Sequence, residues 1–100
     1  MNQDIYQFSF DETVNVEDAQ GIFMLALVAL ESLHGKAAVR LDCRFRSDPA
    51  AKLFHINSGT AIGNDLAKLF TGFAINAYGY DAVRIRRGQG RPADSGTVLQ

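Results

Sequence analysis

Residues Ile5–Phe10, IYQFSF, alternate with period two. Tyr6, Phe8 and Phe10 then share one face and Ile5, Gln7 and Ser9 the other, which predicts a β-strand. The period changes after DETVN. The segment VEDAQGIFMLALVALESLH, Val16 to His34, predicts a helix. Asn15 is placed to cap it, Glu17 and Asp18 lie in the first turn where the helix dipole favours acids, and Gly35 follows His34 as the stop. The middle of this helix is apolar nearly all round, whereas a surface helix shows one apolar stripe. More than one of its faces is therefore expected to be covered.

Period two returns at Ala38–Arg46, AVRLDCRFR, and predicts a second strand. Val39, Leu41, Cys43 and Phe45 would point inward, and Arg40, Asp42, Arg44 and Arg46 outward. SDPA reads as a turn, since Pro49 cannot occupy a central ladder position. Lys52–Asn57, KLFHIN, predicts a third strand. Phe54 and Ile56 suit a core, which turns Leu53, His55 and Asn57 outward. Thr60 is placed to cap a second helix with the stripe Ile62, Leu66, Leu69, Phe70, Phe73 and Ala77, ended by Gly79. AVRIRR predicts a fourth strand, with Val83 and Ile85 inward and Arg84 and Arg86 outward. The remainder, GQGRPADSGTVLQ, is rich in Gly, Pro and polar residues and reads as a flexible tail.

The expected organisation is a single α+β domain over residues 1–88 and a flexible C-terminal tail over 89–100. Two helices cannot cover both faces of a four-stranded sheet and still share a core, and right-handed crossovers put both on one face. The order βαββαβ then predicts a two-layer, ferredoxin-like sandwich with an antiparallel sheet in the order 4-1-3-2.

Composition narrows the picture. With 10 Lys and Arg against 11 Asp and Glu, the net charge of -1 gives no global attraction to nucleic acid or anionic membranes. Any electrostatic partner must be read by a local patch. Cys43 is the only cysteine, so no intrachain disulfide can form and a reducing compartment fits. The N-terminus lacks the basic and apolar segments of a signal peptide. The longest apolar run is Ile22–Leu30, against the roughly 20 residues that a membrane-spanning helix needs. A soluble, cytoplasmic protein is the expectation.

Such a patch is predicted on the open sheet face. Of the seven arginines, five fall there: Arg40, Arg44, Arg46, Arg84 and Arg86, opposed by Asp42 and accompanied by His55. These residues are a candidate surface for an anion or a protein partner, because the planar guanidinium fork binds carboxylate or phosphate through paired hydrogen bonds. The alternative is a solvated face whose edge charges discourage aggregation. RNA-recognition motifs share this topology but stack bases on aromatics of the open face. Here Tyr6, Phe8, Phe10, Phe45 and Phe54 all alternate to the helix side. Nucleic-acid contact would be confined to the backbone and blind to sequence.

Other chemistry is sparse. NSGTAIGND precedes the second helix but lacks the lysine and spacing of a phosphate-binding loop, so it reads as a capped turn. His34 and His55 are the only histidines and lie 21 residues apart, which with one cysteine gives no metal-ligand spacing. His34 suits the negative end of the first helix. Cys43 reads as a small core residue. No nucleophile–base pair or carboxylate pair stands out, so no enzymatic activity and no cofactor is expected. Met24, Leu25 and Val28 extend the apolar surface of the first helix away from its core side and form a candidate oligomer interface. The expectation is a non-enzymatic interaction module that self-associates or docks on a protein. A regulatory domain for a small anionic ligand and sequence-blind nucleic-acid binding are the alternatives.

Overall fold

The structure is a computed structural model that describes residues 3–90, with side chains for residues 5–88. The expected tail lies outside the described residues from 91 to 100. Four strands form one sheet: β1 (Gln3–Phe10), β2 (Phe45–Asp48), β3 (Leu53–Asn57) and β4 (Val83–Gly90). Three helices accompany it: α1 (Val16–His34), α2 (Lys36–Asp42) and α3 (Ala61–Tyr78). Every strand pairing is antiparallel, and the strands lie in the order β2-β3-β1-β4. Read from the other edge this is 4-1-3-2.

Local chemistry sets the helix limits. Asn15 Oδ1 accepts from the N–H groups of Glu17 and Asp18 at 2.8 and 3.1 Å, closing the start of α1. Thr60 Oγ1 does the same for α3 through the Gly63 N–H at 2.9 Å. Gly35 and Gly79 end the two helices with φ of 89° and 88°, a left-handed region in which an L side chain is strained. The termini expected for both helices are the observed ones.

The expected second strand is where the structure differs. Lys36–Asp42 is a helix, and strand pairing begins only at Phe45. VRLDCRFR fits period two, but Val39 and Cys43 are also four apart on one helical face. Strand β3 is five residues long, so it can pair with only a short neighbour. A strand from 38 to 46 would overhang it and leave backbone groups unpaired, whereas a helix satisfies them internally. Val39 is buried as expected, but Leu41 is 74% exposed. Three helices therefore stand where two were expected.

The core lies between one face of the sheet and helices α1 and α3. Phe8 and Phe54 sit opposite each other on β1 and β3 and are fully buried. Phe70 of α3 packs on Phe8 at 4.9 Å between ring centroids, and Phe23 of α1 stacks on Phe54 at 5.2 Å. Phe23 and Phe70 meet edge-on at 5.0 Å, which locks the two helices to each other and to the sheet. The α3 stripe is buried at Ile62, Leu66 and Phe70 and half-buried at Leu69 and Phe73, but Ala77 is exposed. Among the described residues no single helix is long and apolar enough to cross a membrane.

Candidate functional site

Strand register fixes what the uncovered face carries. Phe54 and Ile56 are buried against the helices, so Leu53, His55 and Asn57 face the other way, as expected. Three rows then cross the sheet in the order β2, β3, β1, β4. The first is Asp48, Leu53, Ser9, Arg84; the second is Arg46, His55, Gln7, Arg86. The third is Asn57, Ile5, Gly88, preceded at the β2 edge by Arg44, whose carbonyl accepts from the Asn57 N–H at 3.0 Å. Arg44 continues the ladder one residue before β2, and alternation puts it on the same face as Arg46.

Arg44, Arg46, Arg84, Arg86 and His55 are thus brought together on one face. Arg40 is not: it lies on α2, exposed and away from the sheet. Asp42, expected as the counter-charge, goes with it into α2, and its carbonyl accepts from Thr60 Oγ1 at 2.9 Å. Asp48 takes its place at the β2 edge. With strands about 4.8 Å apart, the two arginine edges stand roughly 14 Å from each other, and successive arginines along an edge are about 7 Å apart. All four are exposed, and none makes an ion pair with a carboxylate among the described residues.

The centre of the face carries no formal charge: Ser9, His55, Gln7 and Asn57 are flanked there by Leu53 and Ile5. His55 Nε2 lies 3.3 Å from Gln7 Oε1 across the β3–β1 pair, while its Nδ1 is buried without a hydrogen-bond partner among the described residues. Burial pushes the imidazole pKa below its usual 6.5; the Arg46 charge adds to this and the Asp48 carboxylate opposes it. The imidazole is therefore neutral at pH 7, and the positive charge is confined to the two edges.

The remaining candidates separate. Met24, Leu25 and Val28 are 58, 59 and 56% exposed. Val28 is two residues from both Ala26 and Leu30, about 200° around the helix from those fully buried positions. The apolar flank of α1 therefore faces away from the core. His34 does more than sit at a helix end: its Nε2 is 2.9 Å from Asp65 Oδ2, tying the end of α1 to the start of α3. The glycines of NSGTAIGND serve packing. Gly59 N–H donates to Asn57 Oδ1 at 2.8 Å, and a Cβ on Gly63 would stand 1.9 Å from the Asn57 carbonyl oxygen. Cys43 is half-buried and packed against the core, and burial raises its thiol pKa, which keeps it protonated and weakly nucleophilic. Among the described residues no group of three or more His, Cys, Asp or Glu could hold a metal ion.

One feature escaped the sequence. Beside β4 on the helix side lies an open groove of about 660 Å³, lined by Tyr6, Ile85, Lys68, Ile75 and Tyr80 among others. Ile85 was expected in the core but is 38% exposed there. The helices lean toward β1, β2 and β3, where Phe8, Phe45 and Phe54 meet Phe23 and Phe70, and leave the flank of β4 uncovered. A hint is present in the polar line Asn64, Lys68, Thr71 on α3, which marks a flank not packed against sheet. No protein-family model matches the chain, and no curated protein and no solved structure resembles it at a significant level.

Proposed function

We propose that this protein is a non-enzymatic interaction module that docks on an acidic protein surface through the open face of its sheet. The observation that carries the reading is the row Arg46, His55, Gln7, Arg86, which spans the uncovered sheet with a cation at each end and a neutral polar pair between them. Four guanidinium groups without carboxylate partners among the described residues, held along the two sheet edges, are pre-oriented donors for carboxylates. A ferredoxin-like reading of the fold accompanies this one. Its support is the strand order and the placement of α1 and α3 on one face, with α2 inserted ahead of β2.

The test is binding of polyglutamate, inorganic phosphate and duplex DNA over a salt series, by the wild type and by a variant carrying Ser at Arg44, Arg46, Arg84 and Arg86. Binding of polyglutamate that the variant loses while its unfolding curve is unchanged supports the reading. Equal binding by both proteins, or no binding of polyglutamate, overturns it. Preference for phosphate would favour a small-anion regulatory domain. Preference for DNA with a steep salt slope would favour sequence-blind nucleic-acid binding.

The exposed line Met24, Leu25, Val28 favours a second, compatible reading, self-association through α1. Sedimentation velocity tests it. A dimer that Val28→Glu dissolves supports it, and a monomer at millimolar concentration removes it.

A further inference from the structure

Strand β4 is the long edge of the sheet. The opposite edge, β2, has four residues and runs straight into Pro49, which ends pairing. β4 has eight, and among the described residues no strand pairs with its outer side. Its two faces differ in chemistry. Arg84 and Arg86 project on the open face, exposed. Ile85, between them, projects on the other face into the groove formed with Tyr6, Ile75 and Tyr80. Arg87 follows on the groove side, its guanidinium over the Tyr6 ring at 5.6 Å from the centroid, and Gly88 continues the open face with no side chain.

An unpaired edge is a template for another strand. An added strand shares the pleat, so its side chains alternate between the same two faces. Residues opposite Arg84 and Arg86 would lie on the open face, where the arginine row favours carboxylates. Residues opposite Ile85 would lie over the apolar groove. A second copy of β4 fits less well: antiparallel pairing of β4 with itself centred on Ile85 or Arg86 sets arginine against arginine on the open face, which is destabilising. The edge thus disfavours its own kind and selects for the complement.

We propose that β4 accepts an extended partner segment by strand addition, and that this segment alternates acidic with apolar residues. The inference deepens the docking reading given above by naming the partner's conformation and pattern. Backbone hydrogen bonds to β4 supply affinity. Carboxylates at every second position, matched to Arg84 and Arg86 at a spacing of about 7 Å, supply register, and the apolar positions fill the groove over Ile85.

The probe is a capped seven-residue peptide alternating glutamate and valine. Its controls are a peptide of the same composition with the glutamates and valines in blocks, and the alternating peptide N-methylated at every second amide. Affinity is read by fluorescence anisotropy at low ionic strength, and amide exchange across 83–90 by NMR. The alternating peptide is expected to bind about tenfold or more tighter than the block peptide, to slow exchange of outward β4 amides, and to lose binding on N-methylation. The double variant Arg84→Glu, Arg86→Glu should bind it about tenfold more weakly. That variant should recover affinity for a peptide with lysine in place of glutamate, a rescue that a general loss of folding cannot produce.

Equal binding of the block peptide, or binding without protection of β4 amides, overturns strand addition. If that binding still depends on Arg44 and Arg46, docking through the face stands without it. Failure of both peptides and of polyglutamate removes both. Concentration-dependent protection of β4 without any peptide would show that a second copy occupies the edge, and this also overturns the proposal.

Discussion

His55 and Gln7 face each other across the centre of the sheet, Nε2 to Oε1 at 3.3 Å, and the other ring nitrogen of His55 is buried without a partner among the described residues. With Gln7 Oε1 as acceptor, Nε2 carries the proton of the neutral ring and Nδ1 is a bare lone pair. Protonating Nδ1 would bury an unpaired cationic N–H beside Arg46, which accounts for the direction of the pKa shift.

The His55 pKa is therefore expected below 6.5 by NMR titration. Arg46→Gln should raise it and Asp48→Asn should lower it further, because the two charges act in opposite directions. The sign for stability follows. Below 6.5 the unfolded chain binds a proton that the folded state resists, so this histidine's contribution falls as pH drops from 6.5 to the folded pKa. His55→Gln should flatten that part of the stability profile. An unshifted His55, or a variant profile identical to wild type, would refute the account.

Lys52 is a structural cation rather than a docking one. Among the described non-glycine residues it alone holds a left-handed backbone, φ 55°, and its Nζ donates to the carbonyls of Glu12 at 3.0 Å and Val14 at 2.8 Å. The side chain thereby fastens the β1–α1 loop to the start of β3. Lys52→Ala should cost roughly 1–3 kcal/mol in urea unfolding, from two charged hydrogen bonds. Lys52→Gly loses the same bonds but relieves the backbone, so it should be less damaging than alanine by about 1 kcal/mol. The reverse ranking would mean that the left-handed backbone carries no strain.

Gly63 is placed where the first turn of α3 meets the end of β3. Its hypothetical Cβ meets backbone, the Asn57 carbonyl oxygen at 1.9 Å, which no rotamer change can relieve. Gly63→Ala should destabilise by roughly 1–3 kcal/mol or more, as overpacking does. Gly21 and Gly72 are the matched controls, since nothing lies within 4 Å of a Cβ at either. Alanine there should stabilise α1 and α3 by about 0.5–1 kcal/mol each. Equal effects at all three sites, read from thermal unfolding, would remove the close-approach explanation.

These contrasts show which features the sequence could reveal. IYQFSF has one reading, and its strand and faces are observed. Asn15, Gly35, Thr60 and Gly79 punctuate α1 and α3 at the observed residues because capping is local chemistry. The outward turn of His55 was legible because Phe54 and Ile56 compete for the same core. AVRLDCRFR had two readings, and the choice between them lay in the length of β3, a tertiary fact, so Arg40 was placed on the sheet and belongs to α2. The groove beside Ile85 was illegible for a related reason: nothing in the periodicity of α3 says which strands its axis lies over.

Tyr78 offers a test of the packing of α1 on α3 that needs no partner. Its hydroxyl donates to Asp18 Oδ2, joining the end of α3 to the first turn of α1. Burial, then the hydrogen bond to Asp18 and its negative charge, push the phenol pKa up to about 12. Tyr78 should therefore ionise with a midpoint of about 12 in an ultraviolet titration. In the unfolded chain the phenol ionises near 10. Its contribution to stability is thus fully present below pH 10 and declines as pH rises from 10 to about 12. Asp18→Ala removes both the acceptor and the charge, so the Tyr78 pKa should move toward 10 and the alkaline decline should shrink. The variant also leaves Asn15 to cap α1 on its own, since the cap is made by backbone N–H groups and survives the change. If Tyr78 ionised near 10 in the wild type, the bond would not persist in solution, and α1 and α3 would be joined at that end by apolar packing alone.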